Sequence, residues 1–164
     1  IRPIWFYGPY LPEKTIFLIR MIKTGKPLMF GKGDALKSMA YIDNVVDALL
    51  LAEKQKVAEG ETYLIADKKV YTVKELYEEI AKNLGVGFNP RFLPLILSRI
   101  FEKLVIIMNK MGFHAGKIFS AGEISRDVFY SIEKAERELG YKPKIGLKEG
   151  IKKTIEWCRE NEVL

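Results

Sequence analysis

The chain has 164 residues, with 27 lysine and arginine residues against 21 aspartate and glutamate residues and a formal net charge of +6. Its apolar fraction of 48% and charged fraction of 29% exclude a disordered chain, and its length favours one domain with a substantial core. The single cysteine, Cys158, excludes an internal disulfide and fits a reducing, cytoplasmic compartment. The single histidine, His114, argues against a histidine-rich metal site, and no apolar run reaches the roughly 18 residues of a membrane-spanning helix.

The first half of the sequence alternates short strands with helices. Its patterns predict strands over residues 1–7, 27–30, 36–42 and 61–66, and helices over residues 12–25, 45–52 and 72–85. Asp43 is expected to cap the helix that follows it, and Thr72 forms a capping box with Glu75. Residues 1–7 are apolar on both faces, which is typical of a buried strand in a parallel sheet.

The second half is predicted to be almost entirely helical. Long helices are expected over residues 95–111 and 147–160. Shorter ones are expected after a second capping box at Ser120 and after Ser131, the latter ending at Gly140. The fold class that follows is α/β, rich in helices and with few short strands.

The predicted helix over residues 95–111 carries apolar side chains around well over half of its circumference. Such width indicates burial on two sides. The second side could line an apolar pocket, contact another subunit or lie on a membrane surface, or it could simply pack between the helices that begin at Thr72 and Leu147. Leu95 and Ile106 lie off the main stripe and distinguish these alternatives.

Basic residues are concentrated in the same part of the chain. Between residues 88 and 120 they exceed acidic residues by four, two thirds of the total excess, and Glu102 is the only acidic residue there. They are spaced no more densely than every fourth residue, so a solvated helix face is favoured over binding to nucleic acid, and no nucleic-acid partner is expected.

Catalytic motifs within the chain are incomplete. The glycine-rich stretch at residues 31–33 precedes a predicted strand and not a helix, so it predicts no pyrophosphate cradle. Tyr-x-x-x-Lys occurs at residues 10–14 and 130–134, but each tyrosine lies outside the predicted helix that carries its lysine. Cys158 is expected in the core, and His114 has no partner close to it in sequence. No catalytic residue and no metal ligand is therefore predicted.

Three stretches, residues 1–9, 37–48 and 134–143, together and in this order resemble segments of the extended short-chain dehydrogenases, the NAD-dependent epimerase/dehydratase superfamily. Residues 1–9 (IRPIWFYGP) resemble the Arg-Pro…Tyr-Gly-Pro segment of that family. Residues 37–48 (KSMAYIDNVVDA) resemble its Arg-Asp-aromatic-x-Tyr-Val-x-Asp-x-x-x-Ala segment, and residues 134–143 (KAERELGYKP) its Lys-Ala…Leu-Gly-Tyr-x-Pro signature. Gly150 and Trp157 follow in the usual trailing helix, so the resemblance covers the whole chain.

The resemblance implies an NAD- or NADP-dependent epimerase, dehydratase or dehydrogenase with a Rossmann fold. In the family the glycine-rich loop and the helical tyrosine–lysine pair lie in an N-terminal half, whereas this sequence begins at Ile1 where the later Rossmann strands would end. The chain is therefore expected to be the C-terminal, substrate-binding half, with the dinucleotide-binding part missing. Alone, it is expected to be inactive and to bind no cofactor, and the full-length form is expected to be a homodimer.

The resemblance also implies the site residues. Trp5 and Lys37 occupy the places where nucleotide-sugar members carry an asparagine and an arginine that grip the substrate, and Tyr7 and Arg126 are expected to contribute to the same site. Pro3 is expected at the nicotinamide end of the cofactor. Lys37 could meet a phosphate as a point charge, or it could be a solvated strand lysine.

These departures leave two substrate classes open. One is a nucleotide sugar. The other is an apolar alcohol, as in the 3β-hydroxysteroid dehydrogenase branch, which residues 93–111 and 41–52 resemble. Two other kinds of function remain as alternatives. One is a binding or dimerisation module without catalysis, and the other is a basic domain that binds a membrane surface peripherally through residues 95–111.

Overall fold

Short strands held in pairs, with helices packed around them, make up the chain. The computed structural model describes residues 1–111 and 121–164. The strands are β1 (Arg2–Pro3), β2 (Trp5–Tyr7), β3 (Leu28–Phe30), β4 (Leu36–Lys37), β5 (Met39–Tyr41), β6 (Leu64–Ile65), β7 (Tyr71–Thr72) and β8 (Arg91–Leu93). The helices are α1 (Glu13–Lys23), α2 (Ile42–Lys54), α3 (Val73–Leu84), α4 (Leu95–Lys110), α5 (Ala121–Ile124), α6 (Glu133–Leu139) and α7 (Leu147–Glu160), with a 3₁₀ turn at Lys56–Ala58. The prediction of a helix-rich α/β fold with few short strands is confirmed.

Four strand pairs hold distant parts of the sequence together. β1 pairs with β6, β2 with β5 and β3 with β8, all in parallel, while β4 and β7 are antiparallel. The expected single strand over residues 1–7 is interrupted at Ile4. Before Ile4 the chain pairs with β6, and after Ile4 it pairs with β5. The expected strand over residues 36–42 is likewise divided at Ser38, whose backbone N–H donates to the Val128 carbonyl instead.

Two apolar clusters form the interior. One lies among α1, α3 and α7 and includes Ile22, Ile80 and Cys158, so the cysteine is buried in the core as expected. The other lies around α2, β6 and α6 and includes Ile65 and Leu139. Burial raises the pKa of the Cys158 thiol, which keeps it protonated and unreactive.

The capping predictions have mixed outcomes. Thr72 and Glu75 form both hydrogen bonds of a capping box at α3, and Gly140 ends α6 in the left-handed conformation, as expected. The Asp43 prediction is wrong, because α2 begins at Ile42 directly after β5 and Asp43 lies inside its first turn, where a negative charge suits the helix dipole. Ser131 lies one position before the N-cap of α6, yet its hydroxyl accepts from the Glu133 N–H at 3.1 Å. The predicted box at Ser120 lies outside the described residues.

Helix α7 approaches β2 and β5 closely because Gly150 lacks a side chain. A Cβ at Gly150 would lie 2.6 Å from Tyr7 Cε2 and 2.8 Å from Tyr41 Cδ2. The two tyrosine rings pack edge to face, with centroids 5.7 Å apart, and form the floor on which this turn of the helix rests.

We expect Gly150→Ala to lower the free energy of unfolding by about 1–3 kcal/mol, because overpacking against two tyrosine rings outweighs the gain of about 1 kcal/mol that alanine usually gives in a helix. Gly87→Ala is the control, because a Cβ there would meet only Asn89 Nδ2, at 3.5 Å. Urea denaturation of both variants measures the difference. A Gly150→Ala protein at least as stable as wild type would contradict this packing.

Candidate functional site

Trp5 and Lys37, predicted from the sequence as site residues, lie beside each other. The Lys37 Nζ is 6.0 Å from the centroid of the Trp5 ring. Together with Ile4, Ser38, Glu123 and Val128 they line a small pocket of about 40 Å³. β2 and β4 therefore bring together two residues that are more than thirty positions apart.

Lys37 is buried, so its interpretation as a solvated strand lysine is wrong. Its ammonium group donates to two backbone carbonyls at the end of α5, those of Glu123 and of Arg126, the latter at 2.6 Å. Burial lowers the pKa of Lys37, and the nearby carboxylates of Glu123 and Asp127 oppose that shift. A lysine at a helix C-terminus satisfies carbonyls that have no partner within the helix, so this side chain fixes the position of α5.

Residues 36–38 also hold the segment that follows α5. The Leu36 N–H donates to Asp127 Oδ1 at 2.8 Å, and the Val128 N–H donates to the Leu36 carbonyl at 2.8 Å. The Tyr130 N–H donates to Ser38 Oγ at 3.1 Å. One side of the pocket is thus built from backbone held by β4 and the residues beside it.

Arg126 contributes its backbone to this arrangement, while its guanidinium group turns away. That group is largely exposed and forms an ion pair with Glu102 of α4. The side chain therefore links α5 to α4 in this structure, and only its carbonyl faces Lys37.

Tyr7, a further predicted site residue, is buried away from solvent. Its hydroxyl donates to Asp67 Oδ2 at 3.0 Å, and burial together with the Asp67 carboxylate raises its pKa. The hydroxyl is therefore committed to an internal hydrogen bond and remains protonated.

Asp67 and Asn44 form a buried polar network that the sequence analysis did not identify. The Asn44 amide donates to Asp67 Oδ1 at 3.2 Å and to the Ile145 carbonyl at 2.7 Å, and its oxygen accepts from the Lys144 and Ile145 N–H groups. Burial raises the pKa of Asp67 to about 6, against hydrogen bonds from Tyr7, Asn44, the Tyr41 backbone and Tyr71 that lower it. The available signals were an aspartate directly after the apolar stretch 63–66 and an asparagine within the apolar stretch of α2.

A larger open cleft of about 530 Å³ lies between α3 and the start of α7. It is lined by Lys69, Tyr71, Glu75, Glu78, Glu79, Gly146, Leu147, Lys148 and Glu149. Some of its charges form ion pairs: Lys69 lies 2.7 Å from Glu75, and Glu149 lies 2.8 Å from Lys153, outside the lining. Across residues 1–111 and 121–164, no group of histidine, cysteine and acidic side chains has an arrangement that could hold a metal ion.

Neither the glycine-rich loop at residues 31–33 nor the two Tyr-x-x-x-Lys pairs has the geometry of a dinucleotide site. The loop at residues 31–33 leads into β4 and not into a helix, and a Cβ at Gly33 would lie 3.1 Å from Met29 Cγ and 3.2 Å from Lys74 Cβ, so protein atoms already fill the space beside it. Tyr10 precedes α1 and Tyr130 precedes α6, so neither shares a helix with the lysine four residues later. Pro3 lies in β1 opposite Ile65, and His114 is outside the described residues.

Comparisons with known proteins identify a matching family model and several relatives of this chain. Residues 6–154 match a family model described as GDP-mannose 4,6 dehydratase. The uncharacterized protein y4nL of Sinorhizobium fredii is 34% identical over 98% of this chain and 47% of its own length. The dTDP-glucose 4,6-dehydratase of Salmonella typhimurium is 32% identical over 94% of this chain and 39% of its own length. The chain thus spans about half the length, or less, of these curated relatives.

A solved structure shows the same fold. The crystal structure of UDP-glucose 4-epimerase from Thermotoga maritima with UDP-glucose superposes with a TM-score of 0.69 at 24% identity, over 98% of this chain and 45% of that chain. The short strands and surrounding helices are therefore those of the Rossmann-like fold that the resemblance implied.

We expect Lys37→Met to lower the free energy of unfolding by about 1–3 kcal/mol, because two carbonyls at the end of α5 lose their donor. Lys32→Met, which removes an exposed lysine five residues earlier, is the control and should change stability by less than about 0.5 kcal/mol. Urea denaturation measures both. Equal stabilities of the two variants would show that the buried ammonium group does not hold α5.

We expect wild-type protein to lose stability relative to Asp67→Asn as the pH rises from about 3.5 to about 7. The carboxyl of Asp67 has a pKa of about 6 in the folded state and 3.8 ordinarily, so the folded protein binds a proton that the unfolded chain releases. This contribution is full below pH 3.8 and is lost as the pH rises through about 6.

Urea denaturation across this pH range tests the Asp67 expectation. The Tyr7→Phe variant removes a hydrogen bond that lowers the pKa of Asp67. The carboxyl pKa therefore stays raised in this variant and its stability should still depend on pH, whereas Asp67→Asn should abolish that dependence. A difference between wild type and Asp67→Asn that does not change with pH would refute the shift.

Proposed function

The chain belongs to the GDP-mannose 4,6-dehydratase family of NAD-dependent epimerases and dehydratases, and from that membership we propose that it is the substrate-binding portion of an enzyme that acts on a hydroxyl group of a nucleotide sugar. The observation that carries the proposal is the family match over residues 6–154, nearly the whole chain. The names of relatives support the substrate class, since one is a dTDP-glucose dehydratase and another was crystallised with UDP-glucose.

The dinucleotide-binding part of the enzyme is proposed to lie in residues other than these 164. Two observations support that division: the chain corresponds to about half of its relatives' length or less, and the glycine-rich loop at residues 31–33 leads into a strand and is filled by protein atoms. NAD or NADP would then be held outside this chain, with at most Pro3 near its nicotinamide end.

Trp5 is the proposed direct contact with substrate. Its ring is only partly buried, lines the small pocket and offers a flat apolar surface for a sugar or base. Lys37 is proposed to act as a positioning residue, because its ammonium group holds the backbone of Glu123 and Arg126 at the same pocket. Tyr7 and Arg126 would support the site from behind, through the Asp67 network and the ion pair with Glu102.

An apolar alcohol is the second proposed substrate class. Its support is the chemistry of the pocket, in which a tryptophan stands where nucleotide-sugar members carry an asparagine that grips the substrate, and the lysine already donates to two carbonyls. A diphosphate would find few donors there, whereas Ile4, Trp5 and Val128 offer apolar surface.

We expect UDP-glucose or dTDP-glucose to quench tryptophan fluorescence saturably, and to do so in Trp157→Phe protein but not in Trp5→Phe protein. Trp157 is the matched control because it lies on α7 against Tyr10, with ring centroids 5.2 Å apart. Quenching by a sterol-like alcohol and not by either nucleotide sugar would favour the second substrate class. Retention of nucleotide-sugar quenching in Trp5→Phe would refute the role of Trp5.

We expect this chain alone to bind NAD weakly or not at all, because its described residues supply neither a pyrophosphate cradle nor a helix N-terminus behind residues 31–33. Isothermal titration calorimetry with NAD measures this. A micromolar dissociation constant would overturn the proposed division between the two parts of the enzyme.

A further inference from the structure

Helix α4 is oriented with its polar side toward the rest of the protein. Ser98 is buried, donates to the Leu95 carbonyl at 2.7 Å and accepts from Ser125 Oγ at 2.9 Å. Glu102, one turn later, forms its ion pair with Arg126 on the same side. Phe101 also contacts the rest of the protein, with its ring centroid 6.3 Å from that of Phe30 in β3. Helices of globular proteins usually present a continuous apolar stripe to the core, whereas the covered side of α4 combines a buried serine and an ion pair with this aromatic contact.

The opposite side of α4 is apolar and exposed. We define the outer face by apolar residues at helical spacing that are each 46–68% exposed: Ile96, Ile100, Leu104, Ile107 and Met111. Met108 widens this face, and Phe92 of β8 is also exposed, at 58%. The expectation that the helix packs between α3 and α7 is wrong for the described residues, because α4 packs against α5 and β3 while α3 and α7 pack on each other. The two residues chosen to distinguish the alternatives, Leu95 and Ile106, are 50% and 49% exposed.

The charges on the outward side all have one sign. Arg99, Lys103 and Lys110 are exposed and fall within a narrow sector beside the outer face, at the spacing of one and two helical turns. Glu102 is the only acidic residue of α4, and it lies on the inward side. The helix therefore offers apolar side chains flanked by positive charge.

The positive charges beside the outer face favour an anionic partner over a second copy of this chain. Two copies of the chain joined through α4 would bring these cations toward each other, which opposes association. An anionic lipid surface accepts both features at once, because apolar side chains enter the acyl boundary while lysine and arginine meet the phosphates.

We propose that the outer face of α4 docks this protein on an anionic membrane surface, with the helix lying in the plane of the interface. Its 16 residues extend about 24 Å, shorter than the roughly 20 residues that span a bilayer. None of the helices within residues 1–111 and 121–164 combines the length and apolar character needed to cross a membrane. The docking goes beyond the proposed substrate class and does not depend on it.

Flotation with phosphatidylcholine vesicles, with or without phosphatidylglycerol, tests the docking. We expect the chain to float with anionic vesicles and not with neutral ones, and Leu104→Asp to weaken binding at least about tenfold. Leu50→Asp is the matched control, because Leu50 of α2 is 48% exposed and Leu104 is 49% exposed. Lys103→Glu combined with Lys110→Glu should remove the preference for anionic vesicles, and raising the salt from about 0.1 M to about 0.5 M should weaken binding.

Several outcomes would overturn the proposal. These are equal binding to neutral and anionic vesicles, an equal loss in Leu50→Asp, or a dimer seen by size-exclusion chromatography that Leu104→Asp dissociates. Circular dichroism tests whether the variants are folded. If Leu104→Asp does not fold, Ile107→Ser serves as a second, milder change on the same face. Flotation of the full reading frame that contains these residues completes the test, and failure to bind there would show that the outer face is covered within the protein.

Discussion

The buried carboxylate of Asp67 joins the central segments of this chain through hydrogen bonds. Asp67 accepts from the Tyr7 hydroxyl and the Asn44 amide, while its own N–H donates to the Met39 carbonyl at 2.6 Å. A polar group withdrawn from water is costly unless its hydrogen bonds are made, so β2, α2 and β5 must all be in position around the end of β6. These elements must therefore pack correctly for the network to form, since a misplaced donor would leave a buried acceptor without a hydrogen bond.

The same network determines where the C-terminal helix begins. Asn44 receives the N–H groups of Lys144 and Ile145, and the Tyr71 hydroxyl receives that of Leu147, so the loop before α7 is fixed by side chains from α2 and β7. Gly150 then brings α7 against the ring of Tyr7. Tyr7 consequently serves both the network and the packing of α7. This explains why its hydroxyl points into the core, although Tyr7 belongs to a segment that resembles a substrate-binding one.

Local signals in the sequence predicted local structure well. Thr72 with Glu75 and the glycine at 140 act within one helical turn, so their outcome does not depend on distant residues. The divisions of the strands at Ile4 and Ser38 were not predictable in this way, because each depends on which distant strand is the partner. Asp43 lost its expected capping position for a related reason, since pairing of β5 with β2 continues to Tyr41 and the helix follows without a gap.

The candidate site shows the same limit of sequence reasoning. Trp5 and Lys37 were identified through resemblance and do lie together, but the burial of the lysine depends on α5, which is more than eighty residues away in sequence. The apolar width of α4 was visible as a pattern, whereas its orientation depends on contacts with distant residues, those of Ser98 with Ser125 and of Glu102 with Arg126. Periodicity identifies the apolar side of a helix and leaves open which side the protein covers.

The pairing of the strands has a consequence for how fast this chain can fold. Each pair joins residues more than thirty positions apart, such as Trp5 with Met39 and Leu28 with Arg91, so every pairing must close a long loop before it gains stability. Helices such as α3, with its own capping box, can form locally and much earlier. The high contact order of the four strand pairs should therefore set the folding rate, and destabilising these pairs should slow folding more than removing a helix cap.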